Sequence, residues 1–495
     1  PALTVDSNIA VTGGIFTSEV DTVSFIKKDT DNNNRIVISG GTFSSDVNKY
    51  CVENYVTEKN NDNTYTVKSL EDVAVAQIGK NDLYKTIEDA VDKANDGDTV
   101  KLLKDIELND LCPIKKNITL DLGNKTLSGN GSILDIYGNV TIKNGNIKIP
   151  SSEEETGAVW VNKTAKLTVE NSVTIDVPDN SFAIGYWSDC TTAEVNFKGS
   201  ITGGNGITMN GMITDTNTNN ILILDGAKIN VKGHGVYQAG YSKTSFSANN
   251  SEIRGVTGIE VRAGDLTVTN SIISGSNDKA KFSCKPNGNG TTTDGVGIAI
   301  AQHTTKLPIN VTISGGEISG VYAIYESNPQ NNGSESVKEV KLSVNDGKFT
   351  GDIYSKDITG FISGGYFTSD PTKYLATSTE GGDKKCVAEA SKDPSYVYKV
   401  VQVGVDYVPV VPAVGGVKVS LDADKLGKDV KNAAENVEAE KIDVAAAEVA
   451  NKISPDAANK YIEDAKAVTD HEKIEVRAYL DITPKAYNDG NDGNN

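Results

Sequence analysis

Two short phrases alternate along most of this 495-residue chain, and that repetition constrains the fold more than any other feature. The first phrase is a strand, a small polar turn and a second short strand. It appears as "LTVENSVTI" from Leu167, "VNFKGSITG" from Val195, "LILDGAKIN" from Leu222, "FSANNSEIR" from Phe246, "LTVTNSIIS" from Leu266, "VTISGGEIS" from Val311 and "LSVNDGKFT" from Leu342. The second phrase lies between these copies, as "GITMNG" from Gly206, "GVYQAG" from Gly235, "GIEVRAG" from Gly258, "GIAIAQH" from Gly297 and "YAIYES" from Tyr322. Successive copies are roughly 20–30 residues apart, the period of a solenoid, with longer steps at insertions such as 276–295.

Within each strand apolar and polar residues alternate, so one side is buried and the other faces out. Asn, Gly, Ser and Asp fill the turns because they tolerate sharply bent or left-handed backbone. Stacking such units places like residues over like and buries a long narrow core. A two-sheet sandwich would not alternate two phrases in this way. The pattern resembles the right-handed parallel β-helix of the pectin-lyase-like superfold, so the expected class is mainly β.

Open ends of a β-solenoid expose unpaired strand edges and need covers. Residues 84–94, "YKTIEDAVDKA", carry a helical stripe of Tyr84, Ile87, Ala90, Val91 and Ala94, with Asn81 or Asp82 placed to cap it; this predicts a helical entrance cap. A closing module appears twice, as "ISGGTFSSDVNKYCVENY" (38–55) and "ISGGYFTSDPTKYL" (362–375), each leading to a Tyr/Val-rich strand. The expected organisation is therefore the last coils of a first block (1–75), a main β-helix (76–400) closed by 362–400, a Pro/Gly linker (401–416) and a small α+β domain (417–495). In that last domain Ser454 and Pro455 mark a helix start, and "EKIEVRAYLDITPKAY" reads as a strand. The opening "PALTVDSNIAVTGG" lies inside a repeat, so the chain reads as part of a longer protein.

The charge restricts partners. There are 67 Asp and Glu against 48 Lys and Arg, a formal charge of −19. A field of that sign repels nucleic acid and anionic lipid, and disfavours a polyanionic sugar unless calcium bridges it. Cys51, Cys112, Cys190, Cys284 and Cys386 show no C-x-x-C spacing, which argues against a zinc site and a dense disulfide framework; bridges Cys190–Cys284 or Cys51–Cys386 stay open. No signal peptide or membrane span is visible, and no cofactor is expected.

The stretch "VKGHGVYQAG" (231–240) sets Gly-His-Gly ahead of a short apolar strand, and in this it resembles a signature of the polygalacturonase family of β-helical glycoside hydrolases. That family also uses Asn-Thr-Asp and Asp-Asp carboxylates as acid and base on opposite faces of the sugar, and the chain contains neither. Arg254 stands where that family carries Arg-Ile-Lys, without the Ile and Lys. Among the chain's own repeats His234 aligns with Asn205, Thr257 and Val296, which predicts a corner histidine. An active site there would need two or more acidic side chains converging with it in a groove able to hold a sugar. A pectate-lyase-like site needs an acidic calcium cluster and an Arg or Lys base; Arg262, two residues from Glu260 on one strand, reads instead as half of a surface ion pair. "DTDNNNR" (29–35) lacks the sixth-position Gly and twelfth-position Glu of a calcium loop. His303 and His471 have no ligand partners in spacing and read as solvated. Expected catalytic and metal residues are therefore none.

What remains is surface. Taking Val236 and its equivalents as inward, Tyr237, Glu260 and Tyr325 form one outward row, with Trp187, Arg262 and Ser327 two residues along. Aromatic and Arg side chains on a rigid sheet are the usual anchors of recognition. Loops 151–157, 214–220, 276–295 and 327–336 are expected to protrude as further contact surface. The entrance cap "YKTIEDAVDKANDGDTVKLLKDI" and the "ISGGTFSSD" closing module resemble those of surface proteins of Gram-positive commensal and host-associated bacteria, in which β-helical blocks form extracellular stalks. The resemblance covers 1–400. It implies an extracellular, adhesin-like monomer that binds a host protein or a host or mucin glycan without catalysis; some members of the group bind immunoglobulin outside the antigen site. The contrasting class is a β-helical polysaccharide lyase or hydrolase acting on pectin-like or mucin glycans.

Overall fold

The phase of the repeated phrases becomes the register of the structure, a computed structural model. It describes residues 2–405 apart from 6–8, 20–21, 26–35, 153, 210–217, 289 and 378–383, together with the backbone of Lys441–Ala446 and Glu475–Leu480. The chain divides into two units, 1–411 and 412–495. The first is mainly β, with a long sheet of parallel strands, an arrangement consistent with a β-solenoid.

Each coil contributes to three inward columns. The first phrase begins one column, in which Val140, Leu167, Val195, Leu222, Phe246, Leu266, Val311 and Leu342 pair in succession. Its second strand supplies a column of Ile147, Ile175, Ile201, Ile229, Ile253, Ile273 and Ile318. The second phrase supplies Ile207, Val236, Ile259, Ile298 and Ile324. All three columns are buried and belong to one apolar cluster spanning 76–400. β-Branched side chains suit this site because they pack on like residues of the coils on either side. Turns between the two strands of the first phrase use left-handed Asn144, Asn250 and Asn270, as the composition of those turns predicts.

The helix before the first coil is shorter than expected. It spans Ile87–Lys93, and Thr86, rather than Asn81 or Asp82, caps it by accepting from the Asp89 amide. Asp82 and Tyr84 instead lie in the strand Asp82–Tyr84, paired antiparallel with Ala76–Ile78. Ile87, Ala90 and Val91 of the helix are buried in the main cluster.

Both closing modules change parallel pairing into antiparallel. Ile36–Phe43 lies parallel to Ile9–Phe16 and antiparallel to Tyr65–Ser69. Gly365–Phe367 lies parallel to Val340–Ser355 and antiparallel to Tyr398–Gly404. In each, a phenylalanine stacks on its counterpart one coil below: Phe16 on Phe43 at 4.9 Å and Phe349 on Phe367 at 4.7 Å between ring centroids. The first module has its own small apolar cluster. The strand Tyr398–Gly404 occupies the start of the segment expected as linker, because Val401 and Val403 pair with Val387 and Lys385; 406–416 lie outside the described residues.

In the second unit, Lys441–Ala446 and Glu475–Leu480 form a parallel pair. The latter falls within the expected strand. The former lies inside the Ala/Glu/Lys-rich run, where Ile442 and Val444 alternate as strand residues do. The helix start at Ser454–Pro455, His471 and the loop 29–35 lie outside the described residues.

Candidate functional site

The first of the two outward rows read from the repeats is present in the pairing. Gly185, Thr208, Tyr237, Glu260, Ala299, Tyr325 and Tyr354 follow one another on successive coils. His234 pairs with Thr257, and its amide donates to Asn205 Oδ1 at 3.0 Å. The glycines preceding this row allow the coils to approach: a Cβ on Gly235 would come 2.5 Å from the Gly258 carbonyl oxygen and 2.4 Å from Ile253 Cγ2.

The middle of the face is not an open surface. Glu260 and Arg262 have no exposed area, and Tyr237 is buried. The insertion 276–295, expected to protrude, returns across them. Arg262 donates through Nη2 to the Asn287 carbonyl and through Nη1 to that of Gly290, both at 2.6 Å, and through Nη1 to Tyr237 Oη at 3.0 Å. Glu260 accepts from the Thr292 amide at 2.8 Å, the Thr292 hydroxyl at 2.6 Å and the Thr293 amide at 3.3 Å. The expected Glu260–Arg262 surface ion pair is thus corrected: each side chain serves the insertion's backbone. A surface pair of that i,i+2 type occurs instead at Arg254 and Glu252, 2.5 Å apart. Burial raises the Glu260 carboxyl above the usual range, opposed by the His234 charge, the Thr292 hydrogen bonds and Arg262. Burial also pushes the Tyr237 phenol up to about 12, against the pull of Arg262.

Two carboxylates do approach His234: its Nε2 lies 3.7 Å from Glu260 Oε2 and 3.5 Å from Asp294 Oδ1. The repeats place Glu260 in the outward row one coil on, but not Asp294, which arrives on the insertion rather than on a coil. The space between them is filled, however. His234 Nε2 donates to the Thr293 carbonyl at 3.2 Å, which also accepts from Thr257 Oγ1 at 2.9 Å. The strand Thr293–Asp294 thus packs directly against the His234 ring. An open groove of about 540 Å³ does exist, but its lining includes Asn332, Lys338, Asp357 and Thr359 and none of these three acid–base groups.

His303, expected to be solvated, is buried. Its Nδ1 accepts from the Thr305 amide at 3.1 Å, so Nε2 carries the proton and donates to the Gly288 carbonyl of the insertion; burial lowers its pKa. Within the 327–336 loop Asn332 is buried and donates to the His303 carbonyl at 3.0 Å, while Gly333, Ser334 and Glu335 are exposed. Tyr325 is half-covered by Phe282 of the insertion, 5.1 Å between centroids, and stacks on Tyr354 at 4.9 Å. All five cysteines are free thiols.

At the other end of the face Trp187 remains open, 38 % exposed. It stacks on Trp160 with centroids 4.2 Å apart and planes 20° from parallel. Gly185 makes this possible: a Cβ there would lie 2.7 Å from Trp160 Cζ3 and 2.5 Å from Phe182 Cε2. Both indole N–H groups are fixed, Trp187 Nε1 to Asp135 Oδ1 at 3.0 Å and Trp160 Nε1 to Ser132 Oγ at 2.9 Å. Tyr137 flanks them, 40 % exposed, and its hydrogen bond to Asp135 holds its phenol above the usual range. Trp160, Tyr137 and Asp135 were not singled out from the sequence, although the register carries Asp135 to Trp160 to Gly185 on successive coils. Extending the outward rows two coils towards the N-terminus would have found them.

No protein-family model, curated protein or solved structure matches this chain.

Proposed function

We propose that this chain is a non-catalytic binding protein of the bacterial exterior, cell-surface or secreted, built as a right-handed parallel β-helix whose rigid outer face recognises a host protein or glycan. The observation that carries this reading is the division of labour along that face. His234, Glu260 and Arg262, which have acid–base or charge chemistry, are buried and bonded to the chain's own insertion. The stacked indole of Trp187 is left to solvent. Stiff aromatic anchors lose little entropy on binding, whereas a hydrolytic site must admit both sugar and water.

The test is capture from host secretions, with purified immunoglobulin as one arm, run beside a reducing-sugar release assay on pectin and mucin. Saturable capture without release supports an adhesin-like protein. The approach of two carboxylates to His234 favours one second reading, a β-helical polysaccharide hydrolase or lyase opened by withdrawal of the insertion. Sugar release that disappears in His234→Ala would establish that reading in place of the first.

A further inference from the structure

Resting on the reading of a binding face, we infer that the Trp160–Trp187 platform is a binding site for a neutral pyranose glycan. Three observations point there. First, the indole planes are held rigidly by each other and by their N–H bonds to Asp135 and Ser132. The part of Trp187 left to solvent therefore has a fixed orientation, and the negative potential of an indole's π face attracts the polarised C–H groups of a sugar ring.

Second, a carboxylate oxygen on the same stretch of chain lacks a donor. Asp189, two residues beyond Trp187, has its Oδ1 out of solvent and without a hydrogen-bond partner among the described residues. Its charge is felt at the Tyr137 phenol. A carboxylate oxygen without a donor is costly, and turning this half-buried side chain towards the platform lets a sugar hydroxyl supply the donor that Oδ1 lacks. Asp135, by contrast, is already engaged by Asn162, Trp187 and Tyr137.

Third, the charge selects the class of sugar. Two carboxylates at the platform and a chain charge of −19 repel uronic and sialic acids. The open aromatic area amounts to Trp187 and Tyr137, which fits a sugar ring or two. A protein partner would ask for a contiguous interface of about 1,200 Å² or more with an apolar centre.

Trp160 and Trp187 are the only two tryptophans in the chain, so its intrinsic fluorescence reports on this platform alone. The experiment titrates the full chain with cellohexaose, mannohexaose, hexagalacturonic acid, and mucin before and after chemical deglycosylation, with reducing ends assayed in parallel. A saturable emission shift is expected with at least one neutral hexasaccharide and with intact mucin, and about tenfold or more weaker binding of hexagalacturonic acid. Asp189→Ala should weaken the neutral ligand about tenfold, the loss of one charge-assisted hydrogen bond, while leaving the emission of the free protein unchanged. Trp187→Ala should abolish the response. No shift with either neutral hexasaccharide, equal binding of the acidic one, or wild-type affinity in Asp189→Ala overturns the inference. Equal binding of deglycosylated mucin also overturns it, in favour of a protein-reading face, and leaves the non-catalytic reading standing. Release of reducing ends brings down that underlying reading instead.

Discussion

Glu260, in the strand Thr257–Val261, and Arg262, the residue just past its end, grip the same insertion by opposite poles of its backbone: Arg262 takes the carbonyls of Asn287 and Gly290, and Glu260 takes the amides of Thr292 and Thr293. Residues i and i+2 of a strand point to the same side, and a returning peptide offers donors and acceptors in alternation. Opposite charges at those positions therefore bind successive stretches of one segment. Burying either charge alone would be costly; together, and hydrogen-bonded, they make the buried layer electrically balanced.

Removing one pole should free the insertion. Arg262→Ala leaves the Gly290 carbonyl without its donor, while that of Asn287 keeps Gln330 Nε2, and leaves Glu260 without the guanidinium's compensating charge. A stability loss of about 3 kcal/mol is expected in urea unfolding. Amide exchange at Thr292 and Thr293 should accelerate with it. Wild-type protection of those two amides in the variant would refute the clamp.

The pH response of Glu260 has a definite sign. Burial raises its folded pKa, so the folded state holds its proton more tightly than the unfolded chain does, whose value is about 4.3. Stability contributed by this group is then fully present below the unfolded pKa and is lost as pH rises through the folded one. His234, Asp294, Arg262 and Tyr237 face the same carboxyl and are unchanged in Glu260→Gln. The difference in unfolding free energy, wild type minus Glu260→Gln, should fall across that window; a flat or rising difference would contradict the assignment.

His234→Ala should leave ligand capture unchanged and cost only about 1 kcal/mol. The Thr293 carbonyl keeps its bond from Thr257 Oγ1, so no buried acceptor is stranded. Capture assays and thermal melts on the same variant check both halves.

Gly185→Ala tests the platform's foundation. Its methyl would meet Phe182 and the Trp160 ring at 2.5 and 2.7 Å, so Trp160 must move and its stack on Trp187 must open. A loss of about 1–3 kcal/mol is expected from overpacking, together with a changed tryptophan emission. Gly131→Ala, where a Cβ has nothing within 4 Å, should alter neither.

Much of this molecule could be read from its repeats. The phase of the two phrases already specified the register: Leu222 over Val195, Val236 over Ile207, His234 beside Asn205 and Thr257, and Tyr237 in line with Glu260. A two-residue alternation settles which side of a strand each residue takes, and stacking like on like settles its neighbours above and below. What periodicity does not carry is which outward residues meet water. Glu260, Arg262 and Tyr237 do face outward, yet they are buried, and so is His303, because Asn287, Gly288, Gly290, Thr292 and Thr293 come back over them. The path of that return is set by hydrogen bonds between segments some thirty residues apart in sequence, such as Thr292 to Glu260. Such contacts leave no period in the chain; they arise once the coils have stacked and presented opposite charges to one loop.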